Sequence, residues 1–182
     1  IASSSLKPAK YARLLYRMVN YYQPPAGPRG QTILELGTSF GITTSYLAAA
    51  NENAKVYTIE GSAAIAGIAR ETFWQMGLEN IELSEGDFIH VLPGLLIKLN
   101  TIDLAFIDGN HSKEPTLDYF ARLFKHSTPS TILIFDDIHW SAGMEAAWAA
   151  IKQHPSVTLT IDLFFIGIVF FSIFKLMFNW NL

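Results

Sequence analysis

The stretch "TILELGTSFGITTSYLAA" (Thr32–Ala49) decides how the rest of the chain is read. It runs as a buried strand, a tight turn holding Gly37 and Gly41, and then a helix. A strand, a glycine turn and a helix open many nucleotide-binding sites. The spacing here is one glycine followed by another four residues on, not the G-x-G-x-x-G run that lets a backbone close onto a pyrophosphate. An acid, Glu35, still belongs to the strand.

Outward from this stretch the pattern alternates. On the amino-terminal side, Leu14, Leu15, Met18, Val19 and Tyr22 recur at helical spacing, which predicts an amphipathic helix over 6–22. "QPPAGPRG" (Gln23–Gly30), with three prolines and two glycines, ends it. On the carboxyl side, "AKVYTIE", "NIELSE", "TIDLAFID" and "STILIFDD" read as further strands. Helices are predicted between them over 42–51, 62–76, 89–99 (interrupted by Pro93) and 112–125, and after the last of them over 141–153. Ser62 and Ser112 are the expected N-caps, and Gly77 the expected residue just past a helix end.

Five strands alternating with helices predict an α/β fold, a doubly wound parallel sheet with helices on both faces. The end of the chain departs from that rhythm. "VTLTIDLF" alternates like a half-covered strand, and "GIVFF" follows too soon for a crossover helix, so the pair is expected to form an antiparallel hairpin. The expected organisation is a single domain: a helix and Pro/Gly linker over 1–30, a core over 31–174, and a tail over 175–182.

The bulk numbers bound the function. The 182 residues suffice for one buried core. Half of them are hydrophobic and 16% are charged, the balance of a folded globular chain. A net charge of −3 gives no electrostatic reason to expect nucleic acid. The lack of cysteine removes thiolate chemistry and Cys-ligated zinc, and suits a cytoplasmic protein. "LFFIGIVFFSIF" (Leu163–Phe174) is uncharged, but a spanning helix needs roughly 20 apolar residues, so no membrane span is expected.

Ligands of an open parallel sheet bind beyond the carboxyl ends of its strands. Acids stand at or just past all five predicted ends: Glu35, Glu60, Asp87, Asp108, and Asp136 with Asp137. One such acid is usually a cap or a solvated turn residue. Five favour a ligand rich in hydroxyls, amines or positive charge over one with several phosphates. Glu60 lies 23 residues after Gly37, near the ~20-residue offset of a ribose-binding acid. Asp87 beside Phe88 can accept from an adenine amino group while the ring packs on the base, or can be a turn acid before a core aromatic.

Together, "ILELGTSFGITT", "VYTIEG", "EGDF", "IDLAFIDGNH" and "ILIFDDIHW" resemble, in that order and spacing, the class I S-adenosylmethionine-dependent methyltransferases, and most of all their O-methyltransferase-like branch. The resemblance implies a seven-stranded Rossmann-like sheet with its last strand antiparallel. It implies that Glu35, Gly37, Thr38, Ser39 and Gly41 hold the methionine end of S-adenosylmethionine, Glu60 and Gly61 its ribose, and Asp87 with Phe88 its adenine. Asp108 joins this cofactor set. The cofactor carries no phosphate, and its carboxylate suits the positive end of the helix beginning near Gly41.

Two devices for removing an acceptor proton follow. His111 and His139 both sit just past strand ends, and with Asp108 they form the expected catalytic set. Asp108, Asp136 and Asp137 also resemble the oxygen ligands that hold Mg²⁺ in catechol-type relatives, with Asp137 where the family has Asn. His90, His126 and His154 have no supporting cluster and read as surface or structural. Trp148 reads as a packing residue and Trp140 as either packing or acceptor wall.

The expected function is methyl transfer to a small-molecule hydroxyl. The alternatives are a non-catalytic S-adenosylmethionine-binding module and an NAD-dependent oxidoreductase. The apolar tail "FKLMFNWNL" packs on a sheet edge or joins two copies, which makes a homodimer the expected assembly if any forms.

Overall fold

The computed structural model describes residues 9–23 and 30–172. Its elements follow the order α1 (Ala9–Tyr21), β1 (Gln31–Leu36), α2 (Ile42–Ala49), β2 (Ala54–Glu60), α3 (Ala63–Gln75), β3 (Ile81–Glu85), α4 (Phe88–Leu99), β4 (Ile102–Ile107), α5 (Lys113–Phe124), β5 (Ser127–Asp136), α6 (Ala142–Lys152), β6 (Leu159–Asp162) and β7 (Ile166–Phe170). The strands form one seven-stranded sheet in the order β3-β2-β1-β4-β5-β7-β6. The chain divides into two compact units between Leu99 and Asn100. Residues 6–8 of the expected first helix, most of the Pro/Gly linker and the tail lie outside the described residues.

In the amino-terminal unit β1 pairs in parallel with β2, and β2 with β3. Every residue of β1 is buried, as expected of a strand covered on both faces. Helix α1 buries Tyr11, Leu15, Met18 and Val19 along one stripe. Its last carbonyls are met by the amide of Gln31, which donates to Val19 O and Tyr22 O. Ser62 caps α3 as its sequence suggests, its hydroxyl accepting from Ile65 N. Gly77, at φ 64°, takes the left-handed conformation that ends the helix.

The expected interruption at Pro93 does not occur: α4 runs unbroken from Phe88 to Leu99 with the proline inside it. The missing N–H removes one helical bond in the second turn, and the burial of Leu92, Leu95 and Leu96 holds the helix together across it.

In the carboxyl-terminal unit β4 and β5 are parallel, while β5–β7 and β7–β6 are antiparallel. The expected hairpin is therefore present. β5 begins at Ser127, three residues before the expected Ser130, because Ile102 pairs with Ser127 ahead of a register shift to Leu104 and Ile132. β6 is shorter than its alternating pattern suggested, and no residue of it is fully buried. It lies at the end of the sheet with one neighbour, so neither of its faces gains full cover.

Trp148 of α6 is 2% exposed and lies on β7 where Gly167 leaves room for it. A Cβ at Gly167 would stand 2.8 Å from two carbons of the indole ring. The sequence reading of Trp148 as a packing residue agrees with this placement.

Candidate active site

In the amino-terminal unit the turn after β1 is set by three residues in the left-handed region, Gly37 (φ 101°), Ser39 (φ 49°) and Gly41 (φ 80°). Gly41 is also a packing requirement. A Cβ there would come within 2.5 Å of the Phe73 ring and 3.3 Å of Ala69 Cα, so α2 could not lie against α3 with a side chain at that position. The N–H groups of Gly37 and Thr38 both donate to Ile59 O, at 3.1 and 3.2 Å, and bind the turn to the end of β2.

Glu60 connects two loops. Its Oε2 accepts from Ser39 N at 2.9 Å and its Oε1 from Ser62 N at 3.0 Å. Each carboxylate oxygen has a second acceptor position, so Glu60 keeps capacity for a diol while its geometry is fixed by backbone. Helix α2 starts at Gly41 with no side-chain cap, and its first internal bond runs from Ser45 N to Gly41 O. Its first-turn N–H groups therefore have no intrahelical acceptor, the usual setting for a carboxylate. Gly61 has open space where a Cβ would stand.

Glu35 sits deeper than the sequence suggested. It is 0% exposed, and its Oε2 accepts from the hydroxyls of Thr44 and Thr58. Thr38 shares a 2.6 Å hydrogen bond with Thr58; with the Thr58 proton directed to Glu35, Thr38 is the donor of that bond. The carboxylate thus ties turn, β2 and α2 together from inside and positions the loop rather than lining its rim. Asp87 is exposed, and its Oδ1 accepts from Ile89 N at 3.0 Å in the first turn of α4. The capping role holds for that oxygen. Phe88 beside it is half-buried.

In the carboxyl-terminal unit the turns after β4 and β5 bring three predicted residues together. His111 Nε2 stands 3.6 Å from Asp108 Oδ1, and its Nδ1 3.8 Å from Asp137 Oδ2. These separations are a few tenths of an ångström beyond hydrogen bonding. The three side chains are 33%, 24% and 28% exposed for His111, Asp108 and Asp137, so a ligand can reach them. Two left-handed residues shape the turns, Asn110 (φ 57°) and Asp137 (φ 52°). Asn110 Nδ2 donates to the Tyr119 hydroxyl at 2.6 Å, which anchors the first turn to α5.

The expected metal set is not assembled. Asp136 is 2% exposed at the end of β5, opposite Ile166. Among the described residues no group of three or more His, Cys, Asp or Glu side chains could hold a metal ion. The imidazole of His111 lies between the other two carboxylates of that set. Nor does Asp137 cap the next helix; Ser141 does, its hydroxyl accepting from Met144 N.

His139 belongs to a different group from His111. Its Nε2 is 3.0 Å from Asp162 Oδ2 and its Nδ1 3.4 Å from Glu145 Oε1. The Asp162 hydrogen bond raises the imidazole pKa above its ordinary value, against a smaller opposing effect of burial, and Glu145 adds to the rise. For Asp162 burial is the largest influence and opposes ionisation. Hydrogen bonds from Phe164 N, His139 and the Trp148 indole together outweigh it and lower the pKa. His139 is thus a hydrogen-bonded brace between Asp162 and Glu145.

Asp162, Glu145 and Phe164 escaped the sequence reading. The available signal was an acid, Asp162, interrupting an apolar run two residues before the aromatic pair Phe164-Phe165. His154 lies between the rings of Phe120 and Phe124, and His126 Nδ1 meets Asn100 O, both structural as expected.

Comparison with known proteins defines the class. Residues 34–138, more than half the chain, match the family model described as a methyltransferase domain, and the chain belongs to that family. It is 32% identical over 111 residues to an O-methyltransferase, imqG, of Aspergillus flavus, a match covering 58% of this chain and 44% of the relative. It is 38% identical over 77 residues to a tRNA (guanine-N(7)-)-methyltransferase of Mycoplasma mobile, covering 42% of this chain and 38% of the relative. The chain therefore spans less than half the length of the curated relatives it matches. In fold it is similar to the Streptomyces achromogenes O-methyltransferase TomG, solved in complex with S-adenosylmethionine, with a TM-score of 0.76 at 20% identity over 92% of this chain and 82% of that one. Among the described residues no helix is long and apolar enough to cross a membrane.

Proposed function

We propose that the chain uses S-adenosylmethionine to methylate an oxygen of a small-molecule acceptor. The observation that carries the reading is the Glu60 clamp on the Gly37–Gly41 turn, which fixes an acid for a ribose diol beside a helix start with no side-chain cap. Gly37, Thr38, Ser39 and Gly41 would hold the amino-acid end of the cofactor, Glu60 and Gly61 the ribose, and Phe88 the base. The bound cofactor supplies a methyl group already activated on a sulfonium.

This chain's own residues take the acceptor proton. In the proposed step the hydroxyl oxygen forms its bond to carbon as the sulfur–carbon bond breaks, the sulfur keeps the electron pair, and the proton passes to His111. Asp108 and Asp137, one near each ring nitrogen, stabilise the imidazolium that results. Among the described residues magnesium assistance finds no fitting donor set, since Asp136 is enclosed at the end of β5 and His111 stands between Asp108 and Asp137. A net charge of −3 favours a small acceptor over the tRNA named for the Mycoplasma relative.

Calorimetric titration with S-adenosylhomocysteine, run beside NAD, tests the cofactor. One-site binding of the former alone is expected. Binding of NAD alone, or of neither, would overturn the proposal.

A further inference from the structure

Strand β6 stands at one end of the sheet, with β7 as its one neighbour among the described residues. An outer strand presents unpaired backbone groups, and natural sheets blunt such an edge with charge. The strand at the other end, β3, is treated in that way: Glu82 is ion-paired with Lys98, and Glu85 with Arg70. β6 is not. Leu159, Thr160 and Ile161 are uncharged, and the Asp162 carboxylate is engaged by His139 and the Trp148 indole of its own chain.

The hairpin fixes which backbone groups point outward. Leu163 N donates to Ile166 O at 2.9 Å across the two-residue turn, so Leu163 directs its N–H and C=O toward β7. By the alternation of an antiparallel ladder Ile161 and Leu159 do the same, opposite Ile168 and Phe170. Thr160 and Asp162 therefore direct theirs to the outer edge. Thr158, which alternation would add to them, has its N–H drawn back to Phe170 O at 3.0 Å. The side chains divide by the same period. Asp162 meets Trp148 of α6, so Thr160 shares the α6 face, and Leu159, Ile161 and Leu163 lie on the opposite one. Ile161 and Leu163 are each 37% exposed there.

The segment "LTIDL" (Leu159–Leu163) is its own complement. Turned end for end about Ile161, it sets Leu159 against Leu163, Thr160 against Asp162 and Ile161 against itself. The outward N–H and C=O groups of Thr160 and Asp162 then bond to those of Asp162 and Thr160 in a second copy. Each Thr160 hydroxyl stands opposite a carboxylate, and the half-exposed apolar side chains meet on one face. Neighbouring registers fail. Centring on Thr160 or Leu159 calls on Thr158 N, which Phe170 O already holds, and centring on Asp162 sets two carboxylates opposite each other.

We infer that β6 is a self-pairing interface: two copies of this chain join antiparallel through their β6 edges about a two-fold axis at Ile161, and their seven-stranded sheets continue into one. The interface is small, so the dimer exchanges with monomer. The inference stands apart from the methyl-transfer reading, since no cofactor or acceptor enters it.

The chain contains no cysteine, so single cysteines report the axis. Across it residue 161 faces its own counterpart as a non-hydrogen-bonded pair, with Cα atoms about 4.5 Å apart, within the span of a disulfide. In the full chain treated with oxidised glutathione, Ile161→Cys is expected to cross-link at least about tenfold faster than Ile97→Cys, an exposed site on α4. Sedimentation velocity over a concentration series is expected to show a reversible monomer–dimer equilibrium for the parent. Thr160→Pro deletes an N–H that the β6–β7 pairing does not use, at an edge position where proline is tolerated. It is expected to weaken the dimer about tenfold or more, through two lost cross-strand bonds. Ile161→Lys places like charges at the axis from a surface position and is expected to abolish the dimer. A parent that stays monomeric at every concentration, as when its own tail covers the edge, would overturn the inference. So would a dimer untouched by both substitutions, which uses another surface, or equal cross-linking of the two cysteine variants. If Thr160→Pro loses its far-ultraviolet circular dichroism, Ile161→Lys and the cross-linking rates decide.

Discussion

In the amino-terminal unit Glu35, Glu60 and Asp87 accept from threonine hydroxyls and backbone N–H groups, whereas in the carboxyl-terminal unit Asp108, Asp137 and Asp162 face imidazole rings. The partners differ in kind. A backbone N–H fixes a carboxylate in one place. An imidazole offers a ring nitrogen that can donate or accept according to its tautomer. Acids that look alike in the sequence thus differ in what the fold sets opposite them: hydroxyl and backbone donors in one unit, imidazole rings in the other.

The comparison breaks most visibly at His111. If the carboxyl-terminal group performs the chemistry, His111→Ala should lower kcat by about 10²–10⁴-fold and leave S-adenosylhomocysteine affinity unchanged. Steady-state kinetics on the identified acceptor, paired with calorimetry, reads both, and loss of cofactor affinity instead would place His111 in the binding half. Glu60→Ala is the opposite case. Removing a charge-assisted acceptor should weaken S-adenosylhomocysteine by about 10–100-fold, and unchanged affinity would deny Glu60 its ribose role.

Gly167→Ala sharpens the packing side of the comparison. The added methyl meets the Trp148 ring, and overpacking of this kind costs about 1–3 kcal/mol in denaturant unfolding. An unchanged midpoint would mean that α6 moves aside at no cost.

The smallest effect is the pH dependence of the His139–Asp162 brace. His139 has a raised pKa, so its contribution is complete below about 6.5 and is lost as pH rises through the folded value. Asp162 has a lowered one, so its contribution is present above about 3.8 and is lost as pH falls through the folded value. The stabilising window lies between. The difference in Tm between the parent and His139→Gln should be greatest near pH 5 to 6 and shrink toward pH 8. A difference that grows with pH would reverse the assignment of the pair.

Much of the fold was legible because period and punctuation agreed. β1 through β4, α3 with its Ser62 cap, and the final antiparallel pair follow from alternation, helical spacing and turn residues. The misses have local causes. Pro93 looks like a break, but one lost hydrogen bond does not outweigh three buried leucines. The start of β5 depends on a register shift against β4, which no single stretch encodes. The alternation in "VTLTIDLF" signals a covered face, but whether an outer strand is covered depends on its neighbours.

The sequence by itself determined that acids gather at the strand ends of an α/β sheet and that the first turn lacks a pyrophosphate spacing, because both are matters of order and local period. It determined the candidates Glu60 and His111 by their distance from the glycine turn and the strand end. Only the tertiary structure decided that Glu35 is enclosed, that His111 lies between Asp108 and Asp137, and that His139 braces Asp162. Those outcomes depend on which side chains meet across elements distant in the chain. That depends on packing and register, and the side-chain pairs they create carry no period of their own.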